Sequence, residues 1–284
     1  MSSVRGVICD VDGVVHAGSA VFTEAVEALN AWQAAGIAAV FLTNNASRFP
    51  SELAARLRAD GVECTADQVV TGAVVGAQTL AEEVPPGTAV LVAGSPALRE
   101  AAQQAGLTVT GDPTAAGAVL QGYFPGLTAG ELHDAARAIT GGARWVATNG
   151  DLTLPTEWGA APGNGAYVQA VARATGVAPR ITGKPETPAY RTAWKALAAR
   201  VRESLPAGTS STGLLPHQVL AIGDRLETDI AGGNAAGLRT VLVTTGVHGR
   251  QDVEAARAAG DVERVPEQVV DGFGQIDLTA RGQA

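Results

Sequence analysis

Arg5-Gly-Val-Ile-Cys-Asp-Val-Asp-Gly-Val-Val15 is the stretch from which the rest of this chain can be read. Val4, Val7 and Ile8 form a short apolar run that reads as a buried strand, and at its carboxyl end the chain turns to Asp10, Asp12 and Gly13. In open α/β sheets ligands bind beyond the carboxyl ends of the strands, so acids emerging there are placed for chemistry. Alternation along an extended chain aims both carboxylates to one side. Like charges so close resist ionisation unless a cation or a shared proton lies between them. An Asp-x-Asp-Gly turn, in which the acids and the glycine serve only a tight bend, fits the same residues.

The totals narrow the function. With 284 residues and 46% hydrophobic content, the chain can build one large or two modest domains around a substantial core. Of its two cysteines, Cys9 falls inside the expected buried strand, so no disulfide framework is expected and a reducing cytoplasm is. No leader of basic residues followed by a long apolar segment is read, and no run approaches the roughly 20 apolar residues that span a bilayer. A net charge of −8 argues against nucleic acid or an anionic membrane as partner, because both require a basic face. Among 20 basic residues only Lys184 and Lys195 are lysine, so a lysine here is less apt to be surface filler.

Taken in order, Thr23 to Ala35 reads as a helix, with Phe22, Val26, Leu29 and Trp32 on one face and Gly36 as its stop. Ile37 to Leu42 reads as a second strand, ending in Thr43-Asn44-Asn45, after which Pro50 opens another helix. Strand, helix, strand implies parallel pairing through a right-handed crossover. Thr65 to Gln68 has the form of a capping box for a helix through the Val69 to Leu80 region. Pro85-Pro86-Gly87 breaks the pattern, and a second βα series follows. Its strands are expected at Ala89–Ala93, Ala118–Gln121 and Trp145–Thr148, with helices from Ser95, after Thr128, and from about Gly165 to Thr175. Lys184 lies on the return to the first series, ahead of a helix from Thr187 to about Val201. Ser204 to Pro216 reads as a mobile surface loop. Val219–Gly223 is a further strand ending in Asp224 and Asp229, Leu238–Val243 is one more, and the last dozen residues read as a frayed tail. The expected organisation is core 1–83, an inserted α/β domain 84–179, and core 180–284.

Four strand ends thus present Asp10 with Asp12, Thr43 with Asn44, Lys184, and Asp224 with Asp229. On these motifs the chain resembles phosphatases of the haloacid dehalogenase (HAD) superfamily, in particular subfamily IIA, the NagD or nitrophenylphosphatase-like group. Asp10-Val-Asp-Gly-Val matches the first motif, Leu42-Thr-Asn-Asn the second, Gly183-Lys184-Pro the third, and Gly223-Asp224 through Asp229 the fourth. The resemblance implies a doubly wound, Rossmann-like parallel-sheet core with an inserted α/β cap. It also implies that Asp10 is the nucleophile and a Mg²⁺ ligand, together with the backbone carbonyl of Asp12 and the side chain of Asp224. Asp229 would act from the edge of the metal shell. Asp12 would be the general acid and base, and Thr43, Asn44 and Lys184 would hold the phosphate.

These residue types suit that chemistry. Hydrolysing a phosphate monoester requires barrier lowering on the order of 20 kcal/mol or more. A carboxylate nucleophile divides the task through an aspartyl-phosphate, provided its charge is screened from the anionic phosphate. Each residue also has a plainer reading, Thr43 as a helix cap and Lys184 as a solvated loop lysine. Gly183-Lys184 is no P-loop, because Ala178 stands where the first glycine is required and Pro185 where the hydroxyl residue is. His16, His133, His217 and His248 lack metal-ligand spacing, although His16 is close enough to the Asp pair for a minor role. Trp32 and Trp194 read as core.

By resemblance the cap loop from Thr148 to Gly165 faces the leaving group, with Asn149, Asp151, Glu157 and Trp158 as specificity candidates. An acidic loop favours polyol or amine-bearing leaving groups, so glycerol phosphate and other polyol or sugar phosphates lead, ahead of nucleotides and pyridoxal phosphate. p-Nitrophenyl phosphate would serve as an artificial substrate. The partner is then a small phosphorylated metabolite, with a homodimer left open. Two rivals remain: a dehalogenase, which needs neither Asp12 nor a metal, and a phospho-acceptor signalling domain, which needs no inserted domain.

Overall fold

The computed structural model describes residues 4–156, 158–203 and 213–279. The chain divides into two compact units. The first comprises Met1–Thr43, Pro50–Val70 and Ala189–Ala284, and the second Asn44–Phe49 and Thr71–Pro188.

The first unit is built on Gly6–Cys9, which is buried along its whole length. A strand covered on both faces must be apolar throughout, and Val7, Ile8 and Cys9 meet that demand. It pairs in parallel with Val219–Gly223 on one side and Ala38–Thr43 on the other. The six-stranded sheet runs Gln268–Val270, Arg239–Val243, Val219–Gly223, Gly6–Cys9, Ala38–Thr43, Val69–Thr71. Numbered along the sequence this is 6-5-4-1-2-3, a doubly wound order whose direction reverses between Gly6–Cys9 and Val219–Gly223. The core beside it gathers Val7, Cys9, Phe41, Leu29, Leu57 and Leu220. The helix Thr23–Ala34 buries Ala25, Val26 and Leu29, and Trp32 stacks on Phe273 with ring centroids 5.7 Å apart.

The second unit carries a five-stranded sheet in the order Arg180–Ile181, Arg144–Ala147, Ala118–Gln121, Ala89–Ala93, Thr108–Thr110, with all four neighbouring pairs parallel. Side chains alternate across it. Val90 and Val92 join Leu98 and Leu120 on one face, while Leu91 and Ala93 join Val119 and Trp145 on the other. Thr128 and Glu131 form the capping box of Ala129–Thr140, as the sequence predicts.

Several local expectations are corrected. The Thr65 capping box closes only the short turn Ala66–Gln68. Val69–Thr71 is then a strand, and the helix starts at Gly72 and runs to Glu83. The β-branched Val69, Val70 and Thr71 pair with the sheet instead of coiling, so tertiary pairing overrides the local helix signal. The cap sheet has five strands, since Thr108–Thr110 and Arg180–Ile181 join its edges as short strands with little apolar signal of their own. The cap loop contains an antiparallel hairpin, Thr153–Thr156 with Gly159–Pro162. The tail is packed as far as Phe273 and Ile276, which are buried. Residues 280–284 of that tail, and 204–212 of the Ser204–Pro216 loop, lie outside the described residues.

Cys9 and Cys64 are both buried, and neither is joined in a disulfide. Burial pushes the Cys64 thiol up to about 11, against a smaller opposing pull from Arg58. The native thiol is therefore expected to resist thiol reagents at pH 8 and to react at once in denaturant, which titration with a chromogenic disulfide will measure. Because the folded value is raised, this group's contribution to stability is complete at neutral pH and is lost as pH rises through about 11.

Candidate active site

The strand order sends two acids out at the point of reversal. Asp10 follows Gly6–Cys9, and its amide extends the ladder by donating to the Ile222 carbonyl at 2.9 Å. Asp224 follows the neighbouring Val219–Gly223 strand. Asp229 arrives through a wide turn, Leu226–Ile230, in which the Ile230 amide reaches back to the Arg225 carbonyl at 3.2 Å. Such π-type turns recur at functional sites because they re-aim one side chain. Carboxylate oxygens of Asp10, Asp224 and Asp229 lie within 4.8 Å of one another, and all three residues are buried.

Two of the acids, Asp224 and Asp229, are held by the backbone around them. The Val247 amide donates to Asp224 Oδ2 at 2.8 Å, and the His248 amide donates to the Asp224 carbonyl at 3.1 Å. Asp229 Oδ2 accepts from the Arg225 amide at 3.1 Å and from Thr228 Oγ1 at 3.3 Å. The Tyr190 hydroxyl donates to the Asp229 carbonyl at 2.9 Å. Three glycines make room. A Cβ on Gly13 or Gly246 would strike Asp224 Oδ2, and one on Gly223 would strike Asp229. Gly13 also has φ +84°, a conformation that L side chains avoid.

Three carboxylates confined together repel, and burial raises the cost of each charge unless a cation sits among them. The donors are all hard oxygens, closely spaced and enclosed by glycine backbone, which fits Mg²⁺. Asp229 belongs to this cluster as fully as Asp10 and Asp224 do.

The Asp12 side chain stands apart, 70% exposed, with Oδ1 3.4 Å from His16 Nε2. Thr43 is buried and ends the strand beside Gly6–Cys9, so it leaves the sheet at the same edge as Asp10. In the second unit Asn44 and Lys184 are tied together. Asn44 Oδ1 accepts from the Lys184 amide at 2.8 Å, and its Nδ2 donates to the Lys184 carbonyl at 3.1 Å and to Asp151 Oδ2 at 3.3 Å. Lys184 is buried. The Asn149 amide donates to the Asn44 carbonyl at 2.9 Å, and Asn164 donates to the Asn149 carbonyl at 2.7 Å. Asn149 thus organises this loop cluster through its own side chain. Trp158 is 75% exposed, and Glu157 lies outside the described residues.

Two features escaped sequence reasoning. The Thr245–His248 segment cradles Asp224, with Thr245 Oγ1 donating to the Gly13 carbonyl at 2.7 Å. Its signal was available, for it follows the carboxyl end of Arg239–Val243, where ligand-binding groups collect. The other is Asp60, 2.8 Å from His16 Nδ1 and 44 residues away in sequence, which carried no signal.

Comparison with known proteins shows the family and the fold. The profile of haloacid dehalogenase-like hydrolases matches residues 7–108, and that of HAD-hydrolase-like proteins matches residues 181–275. The D-glycerol 3-phosphate phosphatase of Mycobacterium tuberculosis is 40% identical over 246 residues, covering 86% of this chain and 64% of that protein. This chain therefore spans less than two thirds of that relative's length. The 5'-nucleotidase YutF of Bacillus subtilis is 34% identical over 251 residues, 88% of this chain and 91% of that one. A magnesium-bound crystal structure of an M. tuberculosis glycerol phosphate phosphatase superposes with TM-score 0.80 at 36% identity, covering 94% of this chain and 74% of that one. For NagD from Escherichia coli the TM-score is 0.82 at 27% identity, with 97% and 99% covered.

A doubly wound parallel sheet with acids gathered at its reversal defines an α/β protein with a candidate divalent-metal site. This chain belongs to the haloacid dehalogenase-like hydrolase family, in its NagD-like branch.

Metal should stabilise the fold by relieving the repulsion among the three acids. Saturating Mg²⁺ is expected to raise Tm by roughly 5 °C in a thermal melt, and EDTA to reverse the change. Asp224→Asn should melt higher than the parent without metal and show little further rise with it. Gly246→Ala should lose most of the rise, because its methyl group displaces the Asp224 carboxylate.

Proposed function

We propose that this chain is a Mg²⁺-dependent phosphatase that hydrolyses phosphate monoesters of small metabolites through an aspartyl-phosphate. The single observation carrying this reading is the convergence of Asp10, Asp224 and Asp229 within 4.8 Å at the reversal of the sheet. Bound there, Mg²⁺ supplies positive charge that screens the nucleophile from an anionic phosphate.

The protein groups then take defined roles. An Asp10 carboxylate oxygen bonds to phosphorus while the bond from phosphorus to the leaving oxygen breaks, and Asp12 gives its proton to that oxygen. Asp12, now a carboxylate, takes a proton from water, whose oxygen attacks phosphorus and releases Asp10. The exposure of Asp12 suits a group that must meet both a leaving group and a water. Thr43 Oγ1, the Asn44 backbone and Lys184 are assigned to the phosphate oxygens. Confining Lys184 through both backbone bonds to Asn44 suits a charge meant for one fixed place.

Residues 84–179 are assigned as the cap that selects the leaving group. Among its loop residues, Asp151 and Trp158 carry the choice, with Asn149 shaping the loop and Glu157 kept as a candidate. An acid beside the leaving group favours hydroxyl-rich, uncharged alcohols, so glycerol phosphate and other polyol or sugar phosphates are the proposed substrates. The name of the M. tuberculosis relative supports that choice. Nucleotides are the second reading, favoured by the B. subtilis 5'-nucleotidase and by the exposed Trp158 ring, which offers a stacking surface. Two buried cysteines outside any disulfide support a cytoplasmic setting.

Asp10→Asn should lower phosphate release from p-nitrophenyl phosphate by about a thousandfold or more; retention of more than about a hundredth of the parent rate rejects Asp10 as nucleophile. In a panel of phosphate esters with Mg²⁺, glycerol 3-phosphate should give a higher kcat/KM than any 5'-nucleotide, and EDTA should silence both. A nucleotide at the head of the ranking would overturn the substrate assignment.

A further inference from the structure

His16 has a partner on each ring nitrogen. It is 1% exposed, in the short strand His16–Ala17 that follows the Asp12 turn, and the Gly13 amide donates to its carbonyl at 2.7 Å. Nδ1 lies 2.8 Å from Asp60 Oδ2, and Nε2 lies 3.4 Å from Asp12 Oδ1. A bond accepted by Asp60 places a hydrogen on Nδ1 and turns Nε2 toward Asp12, as a carboxylate behind a histidine ring fixes its orientation.

The position of Asp60 shows that its negative charge is specifically compensated. It follows the helix Pro50–Ala59, where the helix dipole disfavours an acid. Arg56 Nε, one turn earlier, lies 3.9 Å from the same Oδ2, and the Arg56 guanidinium also donates to the Gly18 carbonyl. The arginine thereby ties the helix to the loop bearing His16. A buried ring so anchored is a rigid post beside the mostly exposed Asp12 side chain.

We propose that His16 is a positioning residue for Asp12, with Asp60 fixing the imidazole ring. This inference rests on Asp12 being the general acid. His16 narrows the Asp12 carboxyl to the rotamer that faces the leaving oxygen. The 3.4 Å approach is long and poorly aligned for a hydrogen bond, as catalytic contacts often are before substrate arrives.

Leaving-group dependence tests it. An alcohol leaves poorly and needs the acid, whereas p-nitrophenolate leaves without one. The first irreversible step, reported by kcat/KM, therefore separates a positioning role from loss of structure. His16→Ala should lower kcat/KM for glycerol 3-phosphate at least about tenfold more than for p-nitrophenyl phosphate. His16→Gln, whose side-chain amide oxygen can accept near the position of Nε2 as the neutral ring does, should recover part of that difference. Asp60→Asn, a conservative change at a partly exposed side chain, should show the same selectivity in smaller measure, and it carries the test if His16→Ala does not fold.

Asp12→Asn provides the reference. It should show the largest selectivity, or lose the alkyl ester altogether, and adding His16→Ala to it should cost little more. Selective loss in Asp12→Asn with proportional loss, or none, in the His16 and Asp60 variants overturns the positioning role alone. Equal loss on both esters in Asp12→Asn removes the general-acid assignment, and this inference with it.

Discussion

Three carboxylates occupy one buried place because two neighbouring parallel strands end there and a third acid is turned back onto them. Mutual repulsion and desolvation both act against Asp10, Asp224 and Asp229. The arrangement persists because the sheet leaves little freedom: Cys9 is paired with Ile222 and with Phe41, so the chain emerges at Asp10 in a fixed register. A one-residue slip would turn its side chain to the opposite face. The fold therefore imposes the electrostatic cost that a hard divalent cation relieves.

The glycines follow from the same constraint. Gly13, Gly223 and Gly246 occur where backbone must pass directly against an aspartate carboxyl, and each lies at or beyond the carboxyl end of a different strand of the six-stranded sheet. Their absent side chains are part of the carboxylate geometry, as are the amides of Arg225 and Val247 that hold it. The second unit shows a comparable economy in Asn44. Its single amide side chain holds both backbone groups of Lys184 and one oxygen of Asp151, and its own carbonyl is held by Asn149. Backbone-to-side-chain bonds of this kind fix the stretch of main chain from which the Lys184 side chain projects.

Much was legible because the chain announces its strand ends. Buried parallel strands read as unbroken apolar runs, and the polar residues that follow them stand out against that background. This holds for Cys9 into Asp10, Leu42 into Thr43 and Gly223 into Asp224. Local signals misled only where tertiary pairing outweighed them, as at Val69–Thr71, where a valid capping box was followed by a strand. Short edge strands such as Thr108–Thr110 and Arg180–Ile181 escaped notice because their pairing partners, more than their composition, make them strands.

The sequence by itself determined the alternation of apolar runs and helices, the acids at the strand ends, and the resemblance that those motifs carry. These are local properties, expressed in spacing and hydrophobic period. Only the tertiary structure decided that Asp229 joins Asp10 and Asp224 in one cluster, that the Thr245–His248 segment cradles Asp224, and that Asp60 reaches His16. Those contacts join residues far apart along the chain. They depend on strand order, register and the wide turn at Leu226–Ile230, none of which leaves a periodic trace in sequence.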